Sequence, residues 1–554
     1  MLGKLAYRNA KRSIKDYLIY LITITLSFSL ILAFNLVASS DEVAALSSGM
    51  STFKNVLIFV NIVIVFVVCF LINYTTKFMF EKRSKEFGTY MLLGIKKTSI
   101  ARLLVTENIL VGIFAFILAI PIGFVFSQFI SVIIVKLLKI PKTIFIFVNF
   151  VSIGMLAVYF LLIYLLVLLN LLRRIRKMTV HDFLYFEKQN ETKMFHGNRK
   201  RNILFLLSII LGIAALALWA SRWTLEKNGA QETLTYLIIS MSILIVSMYG
   251  ICATCADMLL SSLLKSKKIK YKKDYLFTAR TFASKARTMS FTFGTLSMLI
   301  LLSLLCLNYS SICKGVYHRS IELTAPYDVD IFDYEQPFDD FNEYLRVIDE
   351  DYTISESIEF NIYKDPAHQI QNYYDVQFYD FDPVMKLSDY NKLLKMRSLT
   401  PIELKSDEYY RVNVRGTAVE EQNTMTAMIA SLCLYIAFIL ISAVGTILAI
   451  QSLSDSAKYK YRYTTLQRLG VNDSSIFRTI RRQLLIFFFV PVICPVIAGF
   501  CMLASMNNVY HIMLESRYTY LLYFISGLAI FFFIYGIYWI TAYIGFKRNI
   551  NEES

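Results

Sequence analysis

Charged residues are missing from long stretches of this 554-residue sequence. Only 18% of the residues are Asp, Glu, Lys or Arg, whereas 56% are hydrophobic. Soluble domains are roughly 45–50% apolar even when glycine is counted, and uncharged apolar runs of about 18 residues or more are typical of transmembrane helices. The composition therefore excludes a soluble protein.

Residues that build catalytic and metal sites are scarce as well. The chain has five histidines and eight cysteines, with no HExxH and no paired Cys-x-x-Cys pattern, so no metal site is predicted. The phosphate-binding pattern G-x-x-x-x-G-K-[ST] is also missing. We therefore predict that the chain is not an enzyme and carries no cofactor of its own.

Ten apolar runs are predicted to cross the membrane as helices, so the fold class is an all-α polytopic membrane protein. Their approximate bounds are 17–38, 54–80, 103–136, 143–172, 202–221, 234–264, 288–309, 425–452, 480–508 and 517–546. The third run is longer than a bilayer requires, and Pro121 offers a kink point within it.

The distribution of charge predicts the orientation. Lys and Arg concentrate in the loops of one side and at both ends of the chain, which places both termini in the cytoplasm. Residues 310–424 hold 23 acidic and 11 basic residues and are predicted to lie outside. The net charge of +16 therefore reflects membrane topology and anionic lipid, and no nucleic-acid partner is predicted.

The acidic segment 310–424 is predicted to form a small α/β domain between the seventh and eighth helices. Period-two alternation predicts strands at 327–333, 353–363 and 373–381. Apolar residues at helical spacing predict a helix at 337–351, and Ser388 is a candidate N-cap for a shorter one.

A short segment occurs twice. YMLLGIKKTSI at 90–100 and LQRLGVNDSSI at 466–476 share a Leu-Gly pair and a Ser-Ile ending, 376 residues apart. At this offset residues 82–124 match 458–500 at ten of 43 positions, and Glu107 falls opposite Gln483. The sequence therefore predicts a duplicated chain whose second copy carries the acidic insertion.

Each copy follows a predicted span. Charge is dense from Phe80 to Glu86, and apolar residues then return at Phe87, Tyr90 and Leu93. This pattern favours an amphipathic extension of the helix, broken at Gly94. An ordinary basic interfacial loop would explain a single copy, but two copies at equivalent places favour a shared docking function.

The first copy contains R-x-x-E-x-G-x-x-x-x-L-G, formed by Arg83, Glu86, Gly88, Leu93 and Gly94. This motif resembles the coupling segment of FtsX/MacB-type ABC transporter permeases. Ten spans, an outer domain between the seventh and eighth spans, and LSDYNKLLKMRSLTPIEL at 387–404 resemble BceB-type permeases of bacitracin and antimicrobial-peptide resistance transporters.

The resemblance implies two four-helix FtsX-like units, a two-helix connector and an extracellular domain. The implied divisions are 1–180 for the first unit with its coupling segment at 81–100, 181–287 for the connector with helices five and six, 288–309 for helix seven, 310–424 for the extracellular domain, and 425–554 for helices eight to ten with the second coupling segment at 457–476.

The same resemblance implies that both coupling segments dock an ATPase. The implied contact residues are Arg83, Glu86, Phe87, Gly88, Tyr90, Leu93 and Gly94 in the first segment and Arg462, Leu466, Leu469 and Gly470 in the second. Arg462 stands where Glu86 would fall, so the second contact departs from the pattern. The implied partner is an ATPase homodimer that binds ATP and Mg²⁺, with two ATPases to one permease.

The function implied is export or displacement of antimicrobial peptides from cell-wall lipid intermediates, with signalling to a membrane histidine kinase as a further expectation. The implied location is the plasma membrane of a Gram-positive bacterium. The alternative is an FtsX-like complex that transmits ATPase motion to a cell-wall hydrolase.

Two further groups are candidate ligand contacts. Lys136, Lys139 and Lys142 at the outer boundary are candidates for lipid phosphates, although ordinary snorkelling to headgroups is the favoured explanation. The aromatic residues of the acidic segment are candidates for peptide contact, or else fill the core of their own domain. They are Tyr373, Tyr374, Phe378, Tyr379 and Phe381.

Overall fold

A computed structural model describes most of the membrane part of the chain. The described residues are 14–40, 50–137, 145–177, 199–224, 230–265, 278, 281–282, 289–324, 329–332, 346, 349, 411–510 and 518–551. The chain divides into two compact units, one formed by Met1–Cys313 with Ala427–Ser554 and the other by Lys314–Thr426.

The first unit is helical throughout its described part. Its helices are α1 (Ile14–Ala38), α2 (Met50–Lys82), α3 (Ser84–Leu92), α4 (Lys97–Leu137), α5 (Phe150–Lys177), α6 (Arg199–Thr224), α7 (Ala230–Lys265), α8 (Ser290–Thr324), α9 (Arg415–Arg468), α10 (Asp473–Tyr510) and α11 (Thr519–Asn551). Of these, α8 and α9 continue into the second unit.

All of these helices except α3 are long and apolar enough to cross a membrane, which confirms the ten predicted spans and a multi-pass membrane protein. Backbone groups in hydrocarbon must be bonded internally, which favours helices. Helix α4 continues through Pro121. Helix α9 has 54 residues, about 80 Å at 1.5 Å per residue, so it extends well beyond a bilayer core of about 30 Å.

The buried apolar side chains form two main clusters. One joins α1, α2, α4 and α5 with part of α9, and the other joins α8, α9, α10 and α11 with part of α2. The α6–α7 pair packs through a smaller cluster against α8 and α10. Helices α2 and α9 therefore contribute to both main clusters.

Hydrogen bonds between α2 and α9 fix their relative direction. Tyr435 donates to Asn61 over 2.8 Å, and Tyr74 donates to Gln451 over 2.6 Å. Because the residue numbers of both partners rise together, the two helices run parallel. Their C-terminal ends, and the segments that follow them, consequently lie on the same side of the membrane.

The described part of the second unit contains one antiparallel strand pair, β1 (Val329–Phe332) and β2 (Arg411–Val414). Val329 lies opposite Val414, and Phe332 lies opposite Arg411. Strand β1 falls within the predicted strand 327–333. The strands predicted at 353–363 and 373–381 and the helix near Ser388 lie outside the described residues, as does the predicted helix 337–351 apart from two positions, so an α/β domain stays a prediction.

Candidate functional site

The first turn of interest follows α3 and is closed by a Schellman motif. The Gly94 N–H donates to the Met91 carbonyl over 3.1 Å, and the Ile95 N–H donates to the Tyr90 carbonyl over 3.0 Å. Gly94 has a φ of +88°, a left-handed conformation that residues with a Cβ adopt only at a cost. The predicted break at Gly94 is therefore confirmed.

The second turn has the same backbone geometry. The Gly470 N–H donates to Gln467 over 2.9 Å, the Val471 N–H donates to Leu466 over 3.1 Å, and Gly470 has a φ of +85°. Each of these donors and acceptors lies 376 residues after its counterpart in the first turn. The repeat predicted from the sequence is thus confirmed in the backbone of the two turns.

The tip of each turn exposes large apolar side chains. Leu93 and Leu469 occupy equivalent positions and are both 75% exposed. Leu92 and Ile95 extend the first tip, and Val471 extends the second. Both tips lie between apolar membrane windows and next to exposed basic residues, so they are outside the bilayer core. Clustered apolar side chains at such a place are typical of surfaces that contact another protein or the membrane.

The inner face of the first turn is packed against the membrane helices. Phe87 is buried in a cluster with Phe80 of α2, Leu104 of α4 and Leu171 of α5, and Tyr90 packs at its edge. Among the predicted docking residues, Phe87 and Gly88 are therefore buried supports, while Leu93 and Gly94 are exposed.

The second turn rests on a matching cluster. Tyr463 is buried among Ile476, Ile480 and Phe546, with Leu466 half-buried beside them. Tyr463 lies 376 residues after Phe87, and Ile480 the same distance after Leu104. Both turns are thus held by the start of the next long helix and the end of the helix after that.

Different polar contacts anchor the two turns. In the first, Arg83 Nη1 lies 2.6 Å from the Glu107 carboxylate, and Arg83 Nε lies 3.0 Å from that of Glu86. In the second, Tyr463 donates a hydrogen bond to Gln483 Oε1 over 2.8 Å. Since Gln483 is the counterpart of Glu107, an ion pair in one copy is replaced by a neutral hydrogen bond in the other.

The helix leading into the turn also differs between the copies. In the first copy it breaks at Arg83, which separates α2 from α3, whereas in the second α9 continues without interruption to Arg468. The predicted extension is therefore a separate short helix in the first copy and part of one long helix in the second. Glu86 and Arg462, which fall at equivalent positions, are both exposed.

Other predicted contacts cannot be compared with the structure. Lys136 is in α4, but its side chain lies outside the described residues, as do Lys139 and Lys142 entirely. The same is true of the aromatic candidates Tyr373, Tyr374, Phe378, Tyr379 and Phe381. Their roles in lipid and peptide binding stay predictions.

Two features of the site were missed by sequence reasoning. Leu92 is 67% exposed and enlarges the first tip, which the Leu-Leu doublet before Gly94 could have indicated. Asp455 is buried on α9 and accepts a hydrogen bond from Gln451 over 3.4 Å. The predicted span ended at residue 452, although the spacing of Gln451 and Asp455 by one helical turn was a signal that the buried helix continues.

Comparison with known proteins identifies part of this structure. Residues 58–180 match the protein family described as FtsX-like permease C-terminal. The matched range includes α3, the first turn and the cluster that supports it, while the second turn lies beyond it.

Two named relatives are bacitracin export permease proteins called BceB. The protein from Bacillus subtilis (strain 168) is 22% identical over 249 residues, which cover 44% of this chain and 37% of that protein. The protein from Halalkalibacterium halodurans is 22% identical over 218 residues, which cover 39% of this chain and 32% of that protein. The chain therefore aligns with about a third of the length of each relative.

Proposed function

We propose that the chain is the permease subunit of an ABC transporter of the FtsX/BceB type, and that its two turns dock the ATPase subunits. The observation that carries this proposal is the repeated turn, in which Leu93 and Leu469 are equally exposed on identical backbone geometry. A membrane chain without a P-loop needs another subunit to bind ATP and Mg²⁺ and to hydrolyse the ATP.

Two docking turns on one chain explain how a single permease serves a pair of ATPases. Helices α2 and α9 run parallel, so both turns face the same compartment. The positive-inside distribution of Lys and Arg makes that compartment the cytoplasm, with both termini on the same side. One permease to two ATPases is the resulting composition.

The helix packing supports a layout of two four-helix FtsX-like units joined by a connector. The first unit consists of α1, α2, α4 and α5, the second of α8 to α11, and α6 and α7 form the connector. In this layout residues 310–424, which include the end of α8 and the start of α9, form the extracellular domain.

Antimicrobial peptides that bind cell-wall lipid intermediates are the proposed cargo. Both named relatives are bacitracin export permeases. The excess of 12 negative charges in residues 310–424 favours contact with cationic peptides. The complex removes the peptide from its lipid target, and a membrane histidine kinase reads the state of the permease.

Co-purification tests the docking role. We expect the wild-type chain to retain a protein that carries the P-loop pattern, and Leu93→Ala and Leu469→Ala each to weaken that association. Burying one leucine contributes about 1.5–3 kcal/mol, so each variant loses roughly ten- to a hundredfold in affinity. Leu161→Ala is the matched control, because Leu161 is 66% exposed on the membrane helix α5. Equal losses in all three variants would contradict docking at the turns.

A stronger disruption targets the first turn alone. Substituting Glu86 together with Leu93 is expected to abolish the first ATPase contact, because Glu86 supports Arg83 and Leu93 forms the tip. Survival of the full complex in this double variant would mean that the first docking segment is placed wrongly.

A further inference from the structure

We infer that Arg83 and Glu107 are positioning residues that latch the first docking turn onto α4, while a neutral Tyr463–Gln483 hydrogen bond holds the second. The two turns are therefore held differently. The first follows a break between two helices and is fixed by an ion pair, whereas the second is the end of one continuous long helix. We call the Arg83–Glu107 pair the latch. Its effect on the transporter rests on the proposed docking function, whereas the contact itself is present in the isolated chain.

The first latch is built from a nearly buried ion pair. The Arg83 side chain is 11% exposed and that of Glu107 is 2% exposed, with 2.6 Å between Nη1 and Oε2. The Arg83 guanidinium also lies 5.0 Å from the centroid of the Phe87 ring, which is itself buried on the first turn. One cation thus contacts both the base of α4 and the inner face of α3.

The backbone break explains why a latch is needed. Helix α2 ends at Lys82 and α3 begins at Ser84, so the interruption at Arg83 means that α3 is not held in line by a continuous α2. A short helix of nine residues is marginally stable by itself. Contacts of Arg83 and Phe87 with α4 therefore determine where α3 lies.

The second turn needs no such closure. Helix α9 runs through to Arg468 and carries Tyr463 on the same helix as the turn. The Tyr463 hydroxyl donates a hydrogen bond to Gln483 of α10 over 2.8 Å. This bond takes the place that the Arg83–Glu107 ion pair has in the first copy. The ring of Tyr463 packs edge-on against Phe546 at 6.1 Å, so it also fills the place of Phe87.

Charge makes the consequences of substitution unequal. Removing the Glu107 charge leaves the Arg83 side chain, which is only 11% exposed, without its buried partner, although the contact with the exposed Glu86 is retained. Losing a buried ionic contact in this way is more damaging than losing a neutral hydrogen bond. Replacing the whole pair by neutral groups avoids that penalty. The second copy supplies the neutral set, since Tyr459, Tyr463 and Gln483 stand where Arg83, Phe87 and Glu107 stand in the first.

Hydrogen–deuterium exchange of the purified full-length chain in lipid nanodiscs tests the latch without any ATPase. Glu107→Gln is expected to speed amide exchange across residues 84–95 at least about tenfold and to leave residues 460–471 unchanged. Tyr463→Phe is expected to speed exchange of residues 460–471 only, and by a smaller factor. Equal exchange in the Glu107→Gln variant and the wild type, or equal acceleration of both segments, would overturn the inference.

Two rescue variants exclude a general loss of stability. The triple variant Arg83→Tyr, Phe87→Tyr, Glu107→Gln installs the neutral set in the first copy and is expected to restore exchange of residues 84–95 to within about threefold of wild type. The charge-swapped variant Arg83→Glu, Glu107→Arg is expected to recover at least part of the protection that Glu107→Gln loses. No recovery in either variant would overturn the pairing.

A parallel measurement with the ATPase that co-purifies with the wild-type chain separates the two proposals. If the latch and the docking role are both right, Glu107→Gln weakens ATPase binding and the neutral triple variant restores it. If exchange responds as expected but ATPase binding does not change, the latch stands and its role in docking is wrong. Tyr435→Phe is the control, since it removes a buried hydrogen bond to Asn61 that belongs to neither turn.

Discussion

Gly94 and Gly470 lie 376 residues apart and adopt nearly the same left-handed backbone, with φ of +88° and +85°. Each closes a helix with the same pair of hydrogen bonds and presents a leucine at its tip. In the proposed function, this repeat outside the bilayer core lets the two turns contact equivalent surfaces of a partner. Three predictions test how the turns and the membrane helices are built, and a fourth tests the role of the acidic segment.

Gly94→Ala is expected to destabilise the first turn by about 1–2 kcal/mol, because the Cβ of alanine makes the left-handed conformation sterically unfavourable. No atom lies within 4 Å of the place where its Cβ would stand, so the backbone alone causes the loss. Chemical unfolding of the purified chain in micelles measures the free energy. Gly154→Ala is the matched control, since Gly154 also has open space around a Cβ but lies in helix α5. Equal stability changes in the two variants would contradict the explanation.

Tyr435→Phe is expected to weaken the contact between α2 and α9. The variant loses the hydrogen bond to Asn61 but retains the ring that stacks on Phe34 at 4.2 Å. Hydrogen bonds between membrane helices contribute about 0.6 kcal/mol on average and up to about 1.7 kcal/mol. A double-mutant cycle with Asn61→Ala measures the coupling, and a coupling energy of zero would mean that this hydrogen bond does not stabilise the helix pair.

Gly112→Ala is expected to loosen the packing of α4 against α5. An added Cβ would overlap the ring tip of the buried Tyr164, so that ring must move. Overpacking of this kind costs about 1–3 kcal/mol. In a Tyr164→Leu background the same alanine is expected to cost much less, as measured by thermal unfolding. An equal loss in both backgrounds would show that the close approach of Gly112 and Tyr164 is not the cause.

Removal of most of the acidic outer segment is expected to lower resistance to bacitracin while leaving ATPase assembly intact. The antiparallel register places Phe332 opposite Arg411, so residues 333–410 can be replaced by a two-residue Asn-Gly turn that preserves the strand pair. Growth at graded bacitracin concentrations and co-purification of the ATPase are the two readouts. Unchanged resistance would exclude a substrate role for this segment and favour mechanical signalling to a cell-wall hydrolase.

Much of the membrane architecture could be predicted because burial in lipid leaves a simple pattern in the sequence. All ten spans were identified from apolar runs, although α4 and α9 begin or end beyond the predicted bounds. Helix ends outside the bilayer carry charge and follow no such pattern. The predicted span ended at residue 452, so the burial of Asp455 on α9 was missed, although the helical extension toward Gly470 was predicted.

The candidate site was predicted in outline but not in its contacts. The Leu-Gly repeat located both turns, because glycine at a helix end indicates a left-handed residue. Alignment placed Glu107 opposite Gln483, but it could not show that Arg83 turns inward to meet Glu107 or that Tyr463 takes over in the second copy. Those pairings depend on a helix break and on packing between distant segments, which local sequence does not encode.

The number of ATPase subunits bound to one permease chain tests the central claim most directly. Native mass spectrometry of the complex purified from membranes is expected to show one permease with two ATPases, and the Leu93→Ala, Leu469→Ala double variant is expected to lose both. A wild-type complex with equal numbers of permease and ATPase chains would contradict two docking turns on one chain.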